Sequence, residues 1–444
     1  DVTRAAGLPE TVWPNGTAGE FLKREEPIPW ASSATFLDYD GDARLDLFVC
    51  HYVTWSPAVD LRIEATLAGL ERAYVPPTQF EGAQCALYRN ADGRRFEDVS
   101  AEAGVQVFVP EGVGTGARQR SVGKSLGVVV CDPDADGWPD VIVANDTVQN
   151  FFFHNVPAED GRGRRFEEIG LIAGVAYAEG TARGGMGIDW GEYRPGRCAA
   201  VIANFSNEPT TFLGLDSPQR LLFSDNALAV GLYGPTRLPL KFGTFFFDYD
   251  LDGRLDLLTA NGHLEPEITK VQQSQTYAQP AQLFWNTGRR ARQFEPVTEK
   301  DAGPDLFKPI VGRGSAFADI DRDGDLDVVL TANNGPPLLL RNDQKLGHHW
   351  VRLVLEGDGE RSNRSAVGAE VELHAGGEVQ RRSVRAGRGY LSQSELPLTF
   401  GLGKADKIDR VVVRWPGRDT EAQEWKDLAA DREHVLKQKA GGTD

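Results

Sequence analysis

The strongest constraint on this chain is a run of alternating aspartates. Asp319, Asp321, Asp323, Gly324 and Asp327 spell D-x-D-x-D-G-x-x-D and lead straight into Val328-Val329-Leu330. A segment that curls at this spacing gathers its carboxylates, and the backbone carbonyl of position 7, Asp325, completes an oxygen cage. The Gly at position 6 supplies the bend. Hard oxygen donors without His or Cys select Ca2+ over a transition metal. The β-branched run that follows puts the loop between two strands, where an EF-hand has a helix.

The pattern recurs. Asp132, Asp134, Asp136 and Asp140 form a second copy with Trp138 at the carbonyl position, and Asp248, Asp250, Asp252 and Asp256 a third with Arg254 there. Asp38, Asp40, Asp42 and Asp46 form a fourth, with Arg44 at the carbonyl position and Ala43 where the bend-forming Gly is expected. Four Ca2+ sites are therefore expected. The formal charge is −17, and four divalent ions would offset about half of it. So acidic a chain is a poor binder of nucleic acid or anionic membrane, and no apolar run is long enough to span a bilayer.

Around the loops lies a longer repeat. Each unit runs from an entering strand through the Asp loop to an apolar strand, then a Leu-Tyr-Arg-Asn-like strand and a Phe-Glu-Asp-Val piece. The Leu-Tyr-Arg-Asn element stands at 87–90 and recurs at 152–155, 283–286 and 339–342. A degenerate copy enters at Gly187-Ile188-Asp189-Trp190-Gly191, where Asp189 alone of the carboxylate set is expected to survive and no Ca2+ is expected. Starts at 38, 132, 189, 248 and 319 give a period near 60, with insertions at 51–84 and 264–280. Four short strands per unit at this period predict a β-propeller with five repeats counted and up to seven blades. Residues 1–8 resemble the ends of later repeats and are expected to supply the piece that the last repeat lacks, closing the ring. From about His348 alternating apolar and polar residues predict a small antiparallel β-sandwich. The predicted organisation is all-β, with a propeller at 1–346 and a sandwich at 347–444.

The Asp-loop repeats, with Leu-Tyr-Arg-Asn and Phe-Glu-Asp-Val-Ser-Ala-Glu-Ala-Gly-Val, resemble the FG-GAP/VCBS repeats of cartilage-acidic-protein-like proteins. The last region resembles their ASPIC/UnbV domain in Ser362-Asn363-Arg364-Ser365-Ala366-Val367-Gly368-Ala369, Gly389-Tyr390-Leu391-Ser392-Gln393, Phe400-Gly401-Leu402-Gly403 and Val413-Arg414-Trp415-Pro416-Gly417. The resemblance implies a Ca2+-binding, exported propeller. It bears on fold more than on activity.

Chemistry, if present, is expected where strands leave the Asp loops. His51, Asp146 and His263 stand at matched strand ends, with Glu208 and Glu265 close in sequence. Two His and a carboxylate can hold an additional transition metal or act as acid and base. The Asn residues at the same ends are expected to cap turns. No Gly-x-Ser-x-Gly or GK[ST] motif is present. Cys50 and Cys85 flank the first insertion and can pair across it, or all four Cys can stay free and buried. Two functions follow as expectations: an extracytoplasmic, Ca2+-stabilised scaffold binding a protein, glycan or small-molecule partner at one mouth, or a metal-assisted lyase, dehydratase or oxidase around His51 and His263.

Overall fold

The apolar runs after Asp140 and Asp256 become strands buried on both faces, because sheets pack against them from either side, whereas the strand that begins at Asp46 alternates buried and half-buried residues. The computed structural model describes residues 6–8, 23–70, 72–111, 118–159, 161, 163–417 and 421–439. Sheet 1 is β1 (Ile28–Leu37), β2 (Asp46–Trp55), β3 (Ala86–Asn90) and β4 (Phe96–Asp98). A hairpin, β5 (Phe108–Glu111) and β6 (Arg118–Ser121), precedes sheet 2: β7 (Ser125–Cys131), β8 (Asp140–Asn145), β9 (Phe151–Pro157) and β10 (Arg164–Glu168). Sheet 3 is β11 (Gly185–Arg194), β12 (Arg197–Asn204), β13 (Thr211–Ser217) and β14 (Leu222–Asp225). Sheet 4 is β15 (Lys241–Phe247), β16 (Asp256–Asn261), β17 (Gln282–Asn286) and β18 (Phe294–Pro296). Sheet 5 has three strands among the described residues, β19 (Gly312–Ala318), β20 (Asp327–Ala332) and β21 (Leu338–Leu340). All pairings in these sheets are antiparallel.

Four apolar clusters fill the four spaces between consecutive sheets. Phe48, Leu87, Val141 and Phe153 share the first, and Ile142, Phe152, Ile202 and Phe223 the second. Val201, Phe212, Leu257 and Phe284 share the third, and Phe245, Leu258, Val328 and Leu330 the fourth. No sheet buries both faces alone, so each is stabilised by its neighbours.

Asparagines stitch sheet 2 to sheet 1, sheet 4 to sheet 3 and sheet 5 to sheet 4. Asn155 Nδ2 donates to Tyr39 O (2.9 Å), Asn286 Nδ2 to Tyr193 O (2.7 Å) and Asn342 Nδ2 to Tyr249 O (2.7 Å), each reaching back one repeat. Asn90, the counterpart in sheet 1, donates to Leu45 O within its own repeat. The end of each repeat also docks on the next sheet: Phe166 N donates to Ala103 O and Phe294 N to Val230 O. By the same contact Phe96 N donates to Ala6 O (2.7 Å). The part of the segment expected to close the ring as a strand, residues 1–5, is not among the described residues. The described part of the N-terminal segment sits on sheet 1, in the manner of a repeat end, and not on sheet 5. Ile320 and Leu339 of sheet 5 and Phe36 of sheet 1 remain exposed.

The C-terminal region holds two sheets around one core. One contains β22 (His349–Glu356); the other contains β23 (Glu370–Ala375) and β24 (Glu378–Ser383). To the first belong β25 (Leu398–Gly403) and β28 (Arg432–Lys437), and to the second β26 (Lys407–Arg414) and β27 (Gln423–Ala429). Val351, Leu373, Phe400, Val411 and Trp415 meet between them. The expectation of purely antiparallel pairing is corrected here, since β22 and β28 run parallel. No helix among the described residues is long and apolar enough to cross a membrane.

Candidate functional site

The four Asp loops share one backbone. Positions 4 and 6 both have positive φ: Gly41 (72°) and Ala43 (67°), Ala135 (59°) and Gly137 (86°), Leu251 (56°) and Gly253 (93°), Arg322 (64°) and Gly324 (97°). Ala43 thus makes the bend that its lack of Gly placed in question, in a conformation that favours glycine. The first Asp folds the loop by accepting backbone N–H groups. Asp38 accepts from Asp42 N (3.0 Å) and Ala43 N (2.9 Å), Asp132 from Asp136 and Gly137, and Asp248 from Asp252 and Gly253. The last Asp ties loop to sheet. Asp46, Asp256 and Asp327 each accept from the position-2 N–H and from the Asn of the third strand, as in Asp256 with Tyr249 N (3.1 Å) and Asn286 N (2.7 Å). Asp140 accepts from Asn155 N and His154 Nδ1, but position 2 of its loop is Pro133, which has no N–H. Asp140 Oδ2 is accordingly buried without a partner.

Ligand-type oxygens converge within 4.8 Å in four groups: Asp38, Asp40 and Asp42; Asp132, Asp134 and Asp136; Asp248, Asp250 and Asp256; Asp319, Asp321 and Asp327. Burial, followed by mutual repulsion, pushes these acids up. Asp46 and Asp132 rise to about 8, and Asp38, Asp140 and Asp250 to about 6, while Asp248 and Asp256 also rise. Asp319 Oδ1 is buried without a hydrogen-bond partner. Oxygen-only groups with a buried unpartnered carboxylate oxygen fit a hard divalent cation. Asp42 and Asp252 are paired with Arg44 and Arg254, whose Nε atoms donate to Asn90 O and Asn286 O.

The degenerate repeat differs from its sequence reading. Gly185 pairs with Asn204 as Lys241 pairs with Asn261, which aligns Glu192, not Asp189, with the first position of an Asp loop. Asp189 lies inside β11, fully buried. Its Oδ1 is 2.9 Å from Arg385 Nη1, and its Oδ2 is 3.1 Å from Arg388 Nη1 and accepts Phe246 N at 2.8 Å.

Those arginines belong to a loop of the C-terminal region that enters among the five sheets. Leu391 N donates to Ser33 Oγ of β1 (3.2 Å). Gly389 exchanges two backbone bonds with Ile188 of β11. Tyr390 packs on Phe242 of β15, with ring centroids 4.9 Å apart. Ser392 Oγ and Ser394 Oγ accept from Ser315 N and Phe317 N of β19, both at 3.2 Å. Val128 of β7 lines a cavity of about 270 Å³ together with Ala386 and Arg388. The first strands of sheets 1, 3, 4 and 5 therefore meet this one loop, and that of sheet 2 borders a cavity beside it. The same region covers two of the Asp loops: Gly403 N donates to Leu251 O, His348 Nδ1 to Asp250 O, and Arg382 and Arg352 lie 3.9 Å from Asp248 and Asp319. Gly324 sits under Trp350, whose ring a Cβ there would overlap.

The other end carries the expected chemical residues, held separately. His51 Nδ1 donates to Gln84 O (2.8 Å). His263 Nδ1 accepts from Glu265 N (3.0 Å), and its Nε2 lies 3.5 Å from Ser206 Oγ; burial and Arg313 push it down to about 4, so it is neutral at physiological pH. Asp146 accepts from Tyr52 O–H (2.6 Å). Among the described residues none of the potential metal-ligand groups contains His51, Asp146 or His263. The Asn residues cap turns as expected, Asn204 Nδ2 to Pro209 O and Asn261 Nδ2 to Pro280 O. The two insertions meet, with Tyr74 N donating to Glu265 Oε1 (2.9 Å). Sequence reasoning missed the entering loop, although Arg382, Arg385 and Arg388 at three-residue intervals in an apolar context were its signal.

These sheets and loops define an all-β protein of FG-GAP-type repeats followed by a two-sheet region. The FG-GAP-like repeat family matches residues 248–330, and the ASPIC and UnbV family residues 359–443. Cartilage acidic protein 1 of Homo sapiens is 27% identical over 391 residues, covering 86% of this chain and 50% of that protein. Its counterpart in Mus musculus is 26% identical, covering 86% and 51%. The chain is thus similar to the cartilage acidic proteins, and it spans about half the length of the curated relatives it matches. A Bombyx mori GH32 beta-fructofuranosidase overlaps with a TM-score of 0.33 at 10% identity, covering 93% of this chain and 95% of that one, too low to carry an argument.

Proposed function

We propose that the chain is a Ca2+-stabilised, extracytoplasmic β-propeller, residues 1–346, capped by a β-sandwich, residues 347–444, that binds a protein or glycan partner at the mouth formed by the two insertions. The observation that carries the reading is the loop at 385–394. It occupies the space between the first strands of all five sheets, which supports a radial array built as a scaffold and speaks against chemistry in an open channel. Two of the Asp loops are covered by the C-terminal region, which leaves the opposite mouth for a partner. Ca2+ would be held by the four carboxylate groups, with the carbonyls of Arg44, Trp138, Arg254 and Asp325 as further ligands. Its double charge would offset the repulsion of buried acids and fix the loops on which the capping region rests. Five sheets are described, and the number of blades in the ring remains part of this proposal.

The test has two arms. Elemental analysis after dialysis against Ca2+ is expected to give near four calcium per chain, and a content near zero overturns the metal reading. Glycan-array and extracellular-protein binding are then compared between the chain and variants at Tyr74 and Trp30, exposed residues near that mouth. Partner binding unaffected at Tyr74 and Trp30 but lost on Val435→Asp, in the C-terminal region, overturns the assignment of the mouth.

A further inference from the structure

Cys50 and Cys85 face each other at the base of the first insertion. β2 and β3 pair in one constant register, Leu47 with Tyr88, Phe48 with Leu87 and Val49 with Ala86. The same register returns at Val53 with Gly82, and Thr54 N donates to Glu81 O (2.9 Å). Cys50 therefore stands directly opposite Cys85. Directly opposed residues of an antiparallel pair project from one face, with Cβ atoms about 4.5–5.5 Å apart. A bridged pair needs about 3.5–4.5 Å, within reach of a small local adjustment of the ladder. Both thiols are buried, at 0% and 2% exposure, in the apolar cluster between sheets 1 and 2. Cys131 and Cys198 lie in different sheets, on β7 and β12.

We propose that Cys50 and Cys85 form a redox modification site: a disulfide oxidant of the glutathione class joins them and closes residues 51–84 into a covalent loop. Cys85 is the attacking sulfur. Ser125 Oγ lies 3.4 Å from its Sγ, where its hydroxyl can donate to a thiolate, while burial disfavours the thiolate of both cysteines in the closed fold. The Cys85 thiolate attacks one sulfur of the oxidant, forming a mixed disulfide and releasing one thiol. Cys50, losing its proton to solvent, attacks the Cys85 sulfur and releases the second thiol. Two protein thiols are oxidised and one oxidant disulfide is reduced. Because both sulfurs are buried, exchange takes place during folding or when β3 opens. The bridge would anchor the insertion that carries Tyr74 to the mouth.

The test uses the full chain with C131S/C198S, so that no other pair contributes. Protein refolded in a glutathione redox couple is denatured, alkylated with iodoacetamide and mapped by mass spectrometry. The expected result is a peptide linking Cys50 to Cys85, no alkylation at either, and a melting temperature several degrees above that of the reduced sample. The difference vanishes on C50S/C85S. Where C131S/C198S does not fold, the unmodified chain is mapped in the same way. Folded, oxidised protein in which both Cys50 and Cys85 are alkylated, or carry only glutathione adducts, overturns the proposal.

Discussion

Asp189 and Arg388 form a buried ion pair, 3.1 Å between Oδ2 and Nη1, that joins the third sheet to a loop 199 residues further along the chain. Arg385 takes the other carboxylate oxygen, Oδ1, at 2.9 Å. Removing one member of such a group leaves opposite charges buried and unpaired. Asp189→Ala is therefore expected to lower stability by about 3–5 kcal/mol in chemical denaturation, and to make the 385–394 loop a preferred site of limited proteolysis. A loss below about 0.5 kcal/mol, the range of ordinary surface substitutions, would contradict the role given to this pair.

Calcium removal gives a pH-dependent prediction. In the ion-free protein Asp46 and Asp132 rise to about 8, and Asp38, Asp140 and Asp250 to about 6, mainly through burial. An unfolded Asp titrates near 3.9. A folded-state value above the unfolded one contributes stability below about pH 4 that is lost as pH rises through 6 to 8. A bound cation keeps these groups ionised and removes the loss. The gap in melting temperature between Ca2+ and EDTA samples is expected to widen from pH 5 to pH 8. A gap constant over that range would count against the carboxylates as the site of action.

Ala43 holds φ at 67° where three sister loops have Gly. Ala43→Gly relieves that conformation but gives the unfolded chain more freedom. The net effect expected is a gain of roughly 0.5–1 kcal/mol, together with tighter calcium binding at the first loop. Thermal melts and calcium titration of the variant decide the sign.

Lys241 is fully buried, and its ammonium donates to Glu208 O, Thr236 O and Pro239 O at 2.7–2.9 Å. Lys241→Met keeps the volume and strips three carbonyls of their donor. A loss of about 2–4 kcal/mol is expected, read from urea denaturation. A near-neutral result would mean that solvent replaces the donor.

Strands and Asp loops were legible because each rests on local chemistry. The apolar runs after Asp46, Asp140, Asp256 and Asp327 start strands, and the alternating aspartates curl where positions 4 and 6 turn left-handed. The repeated Asn at 90, 155, 286 and 342 marked the third strands, although its reach to the preceding repeat is a tertiary fact. Asp189 misled because its spacing from Asp132 suggested a loop position, whereas strand pairing sets the register and gives that position to Glu192. The surroundings of His51 and His263 are likewise set by tertiary structure. Matched strand ends share a face of the array, yet each imidazole is taken by its own loop, Gln84 O in one case and Glu265 N in the other. Parallel pairing of β22 with β28 joins distant segments that no periodicity links.

The asparagine stitches point backward along the chain, and that direction sets an order of assembly. A new repeat finds the carbonyl that its Asn needs only after its predecessor has folded, so growth proceeds from the N-terminal sheet outward as synthesis delivers each unit. Residues 385–394 come after every strand they touch. The space among the first strands of the five sheets thus stays unfilled until residues 385–394 emerge, and that segment acts as a keystone that locks strands already standing.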